Sequence, residues 1–222
     1  MEASKGNNFD DQSSQLAHIT DNFDDPFILF EKWINEAESK DDLGWLNVMN
    51  LATVNKEFGV LNRSVILLKF DQTGFVFVTE RNSRKFTDMM ENPKVAATLY
   101  WKYKLNDNIV LKQIRINGSV SEVSAEQIRQ FYAEEELPGR IRCKICVCGK
   151  PCDWHELKKQ HDEVLENVRN GTEKLEQNEN YTALKIQPKS IDFYFSMPGS
   201  IADRILYTKD ESGGWSHQHV CA

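Results

Sequence analysis

Long apolar runs are missing from this sequence of 222 residues: nothing approaches the roughly 20 consecutive apolar residues that a helix needs to cross a bilayer. The opening MEASKGNNFDDQSS also lacks the basic and apolar regions of a secretory signal, so the expectation is a soluble, cytoplasmic protein without a membrane partner. Basic residues are in deficit, 27 Lys and Arg against 34 Asp and Glu. The formal net charge of -7 argues against a nonspecific nucleic-acid binder, whose affinity comes from excess cation. An anionic small ligand would therefore need a local basic pocket. Cysteine is too scarce and too unevenly placed for a disulfide framework: there are five, four of them crowded between Cys143 and Cys152, which suits a reducing compartment. Internal repeats and long low-complexity runs are absent too. What is present is a 40% hydrophobic content, enough for one globular domain with a sizeable core but leaving no room for a second full one.

Residues 1–22 are dominated by Asn, Asp, Ser and Gln, which predicts a flexible polar leader ahead of a single domain over 23–222. Asp25 offers an N-cap oxygen and Pro26 suits a first helical turn. Phe27, Phe30, Ile34 and Ala37 then recur at helical spacing to about Ser39. From 46 to 122 the period becomes that of strands, with runs at Val48–Val54, Val65–Phe70, Phe75–Thr79, Val95–Trp101 and Ile109–Val123 between turn residues. One helix interrupts them, from Ser83 to Asn92-Pro93, where proline cannot continue it. A second opens at Ser124, with Gln127 completing a capping box, and runs to about Glu136; a third covers about Asp153–Arg169. Strands close the chain at Thr182–Gln187, Ile191–Phe195 and Arg204–Thr208. Short sequential strands with tight turns predict an antiparallel sheet or barrel with flanking helices, a mainly β form of the α+β class.

The sharpest local chemistry is a strand, Phe75–Thr79, followed by Ser83-Arg84-Lys85 at a helix start. Free N–H groups and the positive end of a helix dipole favour an anion there, and adjacent Arg and Lys add charge-assisted hydrogen bonds. Alone, the pattern also fits solvated surface charge. The cysteines at 143, 146, 148 and 152, spaced C-x2-C-x-C-x3-C, raise a zinc or iron–sulfur reading with His155 as a further ligand. The spacing matches no common finger or ferredoxin pattern. Lys144–Cys148 reads as a strand-like run with Cys146 and Cys148 on one buried face, so the preferred expectation is no metal.

Taken in order, Ile66-Leu67-Leu68-Lys69, Gly74-Phe75-Val76-Phe77-Val78-Thr79, Ser83-Arg84-Lys85, Asn92-Pro93, Gln113-Ile114-Arg115-Ile116-Asn117-Gly118 and Asp203-Arg204-Ile205 resemble the pyridoxine/pyridoxamine 5'-phosphate oxidases. The resemblance covers about residues 23–222. It implies a homodimer of FMN-binding split β-barrels that oxidises pyridoxine or pyridoxamine phosphate to pyridoxal 5'-phosphate with oxygen, releasing hydrogen peroxide, in vitamin B6 metabolism. Flavin would carry the difficult chemistry while the protein supplies orientation, charge and exclusion of water. By the same resemblance Arg84 and Lys85 would hold the FMN phosphate. Ser64, Val65, Ile66, Leu67, Val78 and Thr79 would lie along the flavin, and Gln113, Cys148, Tyr194 and Arg204 would contact it. Lys69 would face the small phosphate substrate. No catalytic residue is assigned.

The sequence departs from the family mainly where substrate would bind. The family has Arg five residues before the pocket lysine; here that position is Ser64, and Arg63 stands one residue earlier. A one-residue slip turns a strand side chain to the other face unless a bulge intervenes. Phe131 and Glu135 stand where the family has a Tyr and an Arg for the substrate phosphate, leaving Arg140 or Arg142 to compensate from the following loop. The motif Arg-x-His-Asp-Arg reads Ser200-Ile201-Ala202-Asp203-Arg204, and Ala202 can neither hydrogen-bond nor exchange a proton through its side chain. A family Trp is Tyr194, and the closing Arg-Leu-Ala-Pro is His219-Val220-Cys221-Ala222. Two functions stay open: an FMN-dependent oxidase, and a catalytically impaired FMN- or pyridoxal-phosphate-binding homologue.

Overall fold

The helix starts lie where the capping residues stand in the computed structural model, which describes residues 14–21, 23–40 and 46–222. Asp25 accepts the N–H of Phe27 at 2.8 Å to open α1 (Pro26–Glu38), and Ser83 opens α2 (Arg84–Glu91). Ser124 and Gln127 form a complete capping box at α3 (Ala125–Glu134). Two further helices are α4 (Leu137–Ile145) and α5 (Trp154–Arg169), the latter capped by Asp153. The strands are β1 (Gln15–Leu16), β2 (Val48–Asn55), β3 (Gly59–Asp71), β4 (Gly74–Glu80), β5 (Lys94–Leu105), β6 (Asn108–Glu122), β7 (Tyr181–Ser196), β8 (Ser200–Ile201), β9 (Asp203–Lys209) and β10 (Trp215–His219). Eight of them hydrogen-bond in the order β10-β9-β7-β4-β3-β2-β5-β6, and β7 also pairs β6. Six strands therefore form a closed cycle, the mainly β split barrel that was expected.

Three expectations need correction. The runs at 182–187 and 191–195 belong to one strand, β7. Its first half pairs β4 and its second half pairs β9, and Pro188, which has no N–H to donate, sits at the change of partner. Residues 144 and 145 are helical, not strand-like: Pro138 in the first turn and Arg142 and Lys144 in the last fit α4 to its own dipole. Residues 14–21, assigned to a flexible leader, are placed. The β1 strand runs parallel to β8, Ala17 and Ile19 are buried, and the Ile19 N–H donates to the Asp203 carboxylate at 2.7 Å. Residues 1–13 of that leader lie outside the described residues. The chain divides into two compact units, and β5, β6 and β7 each contribute residues to both.

The first unit comprises Met1–Leu46, Thr98–Ile116 and Lys189–Ala222. Its core is aromatic: the Trp33 and Phe193 rings meet edge-on at 5.2 Å, Phe193 meets Tyr207 at 5.6 Å, and Phe30 lies 6.1 Å from Trp101. A buried Lys112 is made tolerable there by Glu36, 2.7 Å away, and by the Trp33 ring beneath its ammonium.

The second unit comprises Asn47–Ala97 and Asn117–Pro188. Val76, Ile128, Tyr132, Cys143, Tyr181 and Ala183 form one buried cluster, and Ile141, Val164 and Leu175 form a smaller one between α4 and α5. Backbones approach closely at two glycines. A Cβ at Gly74, whose φ is +153°, or at Gly118 would lie 2.1 Å from the carbonyl oxygen of Ile186 or Gln187.

Candidate functional site

The second unit places a basic cavity of about 600 Å3 where β4 passes into α2. Arg63 reaches it from β3, Ser83, Arg84, Lys85 and Thr87 line it from the start of α2, and Cys148, Gly149 and Lys150 close it from the segment after α4. Two cations in the first turn of a helix, with Arg63 and Lys150 lining the same cavity, are an arrangement that an anion completes. The side chains are held, not loose. Arg63 donates to the Leu51 carbonyl at 3.1 Å and stands 3.7 Å from the buried carboxylate of Asp88, itself fixed by Thr53 at 3.0 Å and Asn55 at 2.6 Å. Lys85 donates to the Thr79 hydroxyl at 3.3 Å, and Thr79 shares a hydrogen bond with Ser83 at 3.2 Å. The Arg84 guanidinium lies over the Phe58 ring at 5.1 Å.

The charges press on one another. Burial pushes the Lys85 ammonium below the ordinary lysine range; Cys148 and Glu80 oppose that shift and the Arg63 and Arg142 charges add to it. Arg63 is likewise lowered by burial, with Asp88 opposing and Arg84 adding. A phosphate placed in the cavity would relieve this repulsion. At ~4 Å and an effective dielectric of ~20, each cation–anion contact is worth about 4 kcal/mol before screening.

Arg63 reaches the cavity from the regular β2–β3 ladder, where it pairs with Leu51, and a bulge lies between it and Lys69. The β3–β4 register runs Leu67 to Phe77 and then Lys69 to Val76, so Leu68 is an extra residue in β3. With that residue absorbed, Arg63 stands to Lys69 as a residue five positions away stands in an unbulged strand. Ser64, the position matched by spacing, points elsewhere and donates to Asn50 at 3.2 Å.

Of the residues singled out from sequence, Arg84, Lys85 and Cys148 line one cavity, and Thr79 is bonded to it through Lys85. Val65 and Leu67 are buried, Ile66 and Lys69 are exposed beside the bulge, and Val78 packs on the Val76 cluster. Gln113, Tyr194 and Arg204 belong to the first unit. There Arg204 pairs with Asp192, which Arg115 also pairs, and donates to the Cys221 carbonyl at 3.1 Å. Of the two arginines expected to compensate for Glu135, Arg140 donates to the carbonyls of Glu135 and Ala133 at 2.8 and 2.6 Å. Arg142 remains near the cavity, 3.4 Å from Glu80. Glu135 itself accepts from the Tyr181 hydroxyl at 3.1 Å, and Tyr132 donates to the Glu176 carbonyl at 2.8 Å. Sequence reasoning left Arg63 out of the site because the spacing counted back from Lys69 falls on Ser64; the bulge at Leu68, which shifts that count by one, has no residue signature.

The family model described as pyridoxamine 5'-phosphate oxidase matches residues 36–147. A pyridoxine/pyridoxamine 5'-phosphate oxidase of Pelagibacter ubique (strain HTCC1062) is 31% identical over 197 residues, 86% of this chain and 88% of that one. This chain belongs to the pyridoxine/pyridoxamine 5'-phosphate oxidase family. Two solved structures share the fold of this oxidase family member at 17% identity. PhzG from Burkholderia lata 383, in complex with tetrahydrophenazine-1-carboxylic acid, has a TM-score of 0.80 over 95% of this chain and all of the other. A pyridoxamine 5'-phosphate oxidase-related, FMN binding protein from Nostoc punctiforme PCC 73102 has a TM-score of 0.69 over 87% and 97%. FMN is the cofactor that goes with membership of the oxidase family. The donor set of the cavity fits its phosphate end: four cations, two hydroxyls and a helix start converge where an anion would gain most from them.

Proposed function

We propose that this protein is an FMN-dependent oxidase acting on a small phosphorylated substrate, with pyridoxine or pyridoxamine 5'-phosphate as the first compounds to test. The observation that carries the reading is the convergence of Arg63, Arg84 and Lys85 on one cavity with Ser83. Arg63, Arg84 and Lys85 hold the cofactor phosphate, Thr79 orients Lys85, and Cys148 walls the cavity. FMN, when bound, supplies the two-electron oxidation and passes the electrons to oxygen, giving hydrogen peroxide. Lys69, exposed after the bulge, is the cation nearest in sequence to the cofactor strand and serves the substrate. Val60, Ile66 and Leu68 are exposed on β3, at 71%, 42% and 46%, and support a homodimer by giving a second copy an apolar surface to cover.

A second reading, a binding homologue without oxidase activity, is favoured by the C-terminal segment. Ser200 and Ile201, at positions of the degenerate substrate motif, are hydrogen-bonded to the β1 strand, and Arg204 is engaged by Asp192. The visible spectrum of the purified protein, followed by a peroxide assay with pyridoxamine 5'-phosphate in air, separates the readings. Yellow protein with peroxide supports the oxidase, and yellow protein without peroxide supports the homologue. Colourless protein that takes up no added FMN refutes both.

A further inference from the structure

The first unit carries a second cluster of chemistry that the flavin reading does not use. His18, Asp203 and His219 each bring one ligand atom to a common point, all within 4.8 Å of one another. They come from three distant parts of the chain: the segment after β1, the first residue of β9 and the last residue of β10. The two imidazole rings are 5.5 Å apart, tilted by 42°, and the His219 Nδ1 lies 2.9 Å from Asp203 Oδ1.

We propose that His18, Asp203 and His219 bind a divalent transition-metal ion of the zinc class. Two imidazoles and one carboxylate are a ligand set for such an ion, with the fourth position left to water. Ligand atoms at ~2.1 Å from a tetrahedral centre lie ~3.4 Å from one another. The Asp203–His219 contact is already close to that spacing, and small side-chain rotations of the exposed His18 and His219 complete it. The carboxylate is braced from behind: Asp203 Oδ2 accepts the Ile19 N–H at 2.7 Å and Oδ1 accepts the Arg204 N–H at 2.8 Å. Backbone donors of that kind orient a metal-binding carboxylate while leaving a lone pair for the ion. Hydrogen bonding alone would require only the pair Asp203–His219; the metal accounts for the third member, His18, whose ring stands beside the other imidazole. The bound ion ties the segment after β1 to β9 and β10, and so holds residues 15–19 beside Ser200-Ile201, with which β1 already pairs. The inference does not rest on flavin binding.

The test uses untagged full-length protein titrated with Zn2+ by calorimetry and with Co2+ by visible absorption, comparing wild type with His18→Ala, His219→Ala and the double variant. Both replaced side chains are exposed, so the fold is preserved. The expected result is one ion per chain, a Co2+ spectrum of nitrogen and oxygen ligation, a drop of at least tenfold in affinity for each single variant, and loss of the site in the double variant. Zn2+ should also slow proteolysis within residues 14–21 in wild type only. No binding at micromolar metal overturns the proposal. So does binding that survives in the double variant, and a thiolate charge-transfer band in that case would move the ion to the cysteines between 143 and 152.

Discussion

Replacing Arg63 by Met removes one charge and one donor from the cavity while keeping much of the side-chain bulk. Its guanidinium donates to the Leu51 carbonyl and stands 3.7 Å from Asp88. Asp88 keeps its bonds from Thr53 and Asn55, so the stability lost is that of one side-chain hydrogen bond to a carbonyl and a long ion pair, about 2 kcal/mol. For a chain of this size that lowers Tm by roughly 4–8 °C, and the folded protein is still available for titration at 20–25 °C. The missing charge-assisted hydrogen bond to phosphate is worth ~1.5–3 kcal/mol, which weakens FMN binding by roughly 10- to 150-fold. The assay is quenching of flavin fluorescence on titrating apoprotein into FMN. A second variant sharpens it: adding Ser64→Arg to Arg63→Met should not restore affinity, because position 64 faces Asn50. FMN affinity within twofold of wild type in Arg63→Met, or full recovery in the double variant, would refute the argument from the bulge.

Other expectations are simpler to check. Gly118→Ala has no backbone torsion to oppose it, so its whole effect is the new Cβ against the Gln187 carbonyl; a loss of ~1–3 kcal/mol and a lower Tm should follow, and an unchanged Tm would contradict the close approach. Asp71 is pushed up by burial but held down more strongly by the Lys185 ammonium at 2.8 Å and by Thr73, to a pKa of about 2. A folded-state value below the unfolded one means that the stability from this group is complete above the usual carboxylate pKa and is lost as pH falls through the folded value. Carboxyl NMR should therefore show Asp71 titrating near pH 2, and Asp71→Asn should flatten the stability change between pH 4 and 2; for so exposed a pair the effect is ~0.2–1 kcal/mol. Asp192→Asn leaves Arg115 and Arg204 with a neutral partner in the first unit and should lower Tm by several degrees, about 1–3 kcal/mol.

The parts of the fold that were legible are those fixed by local chemistry. Asp25, Ser83, Ser124 and Asp153 each announced a helix start, because a side chain that caps free N–H groups acts within three residues of itself. The alternation in β2, β5 and β6 and the continuous apolar run of β4 were likewise readable. What was hidden depends on distant partners. Nothing near Pro188 says that β7 changes from β4 to β9, and the polar composition of residues 14–21 conceals Ala17 and Ile19, buried against a segment almost 200 residues away. In the site, Arg84 and Lys85 were found because they follow a strand and open a helix. Arg63 was lost because fixed spacing counts residues, whereas a pleated strand counts hydrogen-bonded pairs, and the two counts part at Leu68.

The docking of the N-terminal segment also sets an order of assembly. The bond from the Ile19 N–H to Asp203 and the bond from the Tyr207 hydroxyl to the Phe23 carbonyl each span 184 positions. At a synthesis rate of ~5–20 residues per second, residues 15–23 wait ~10–40 s on the ribosome before those partners exist. Through that interval residues made early are among the last to find their place, and Leu16, Ala17 and Ile19 stay open to chaperones while the strands behind them pair.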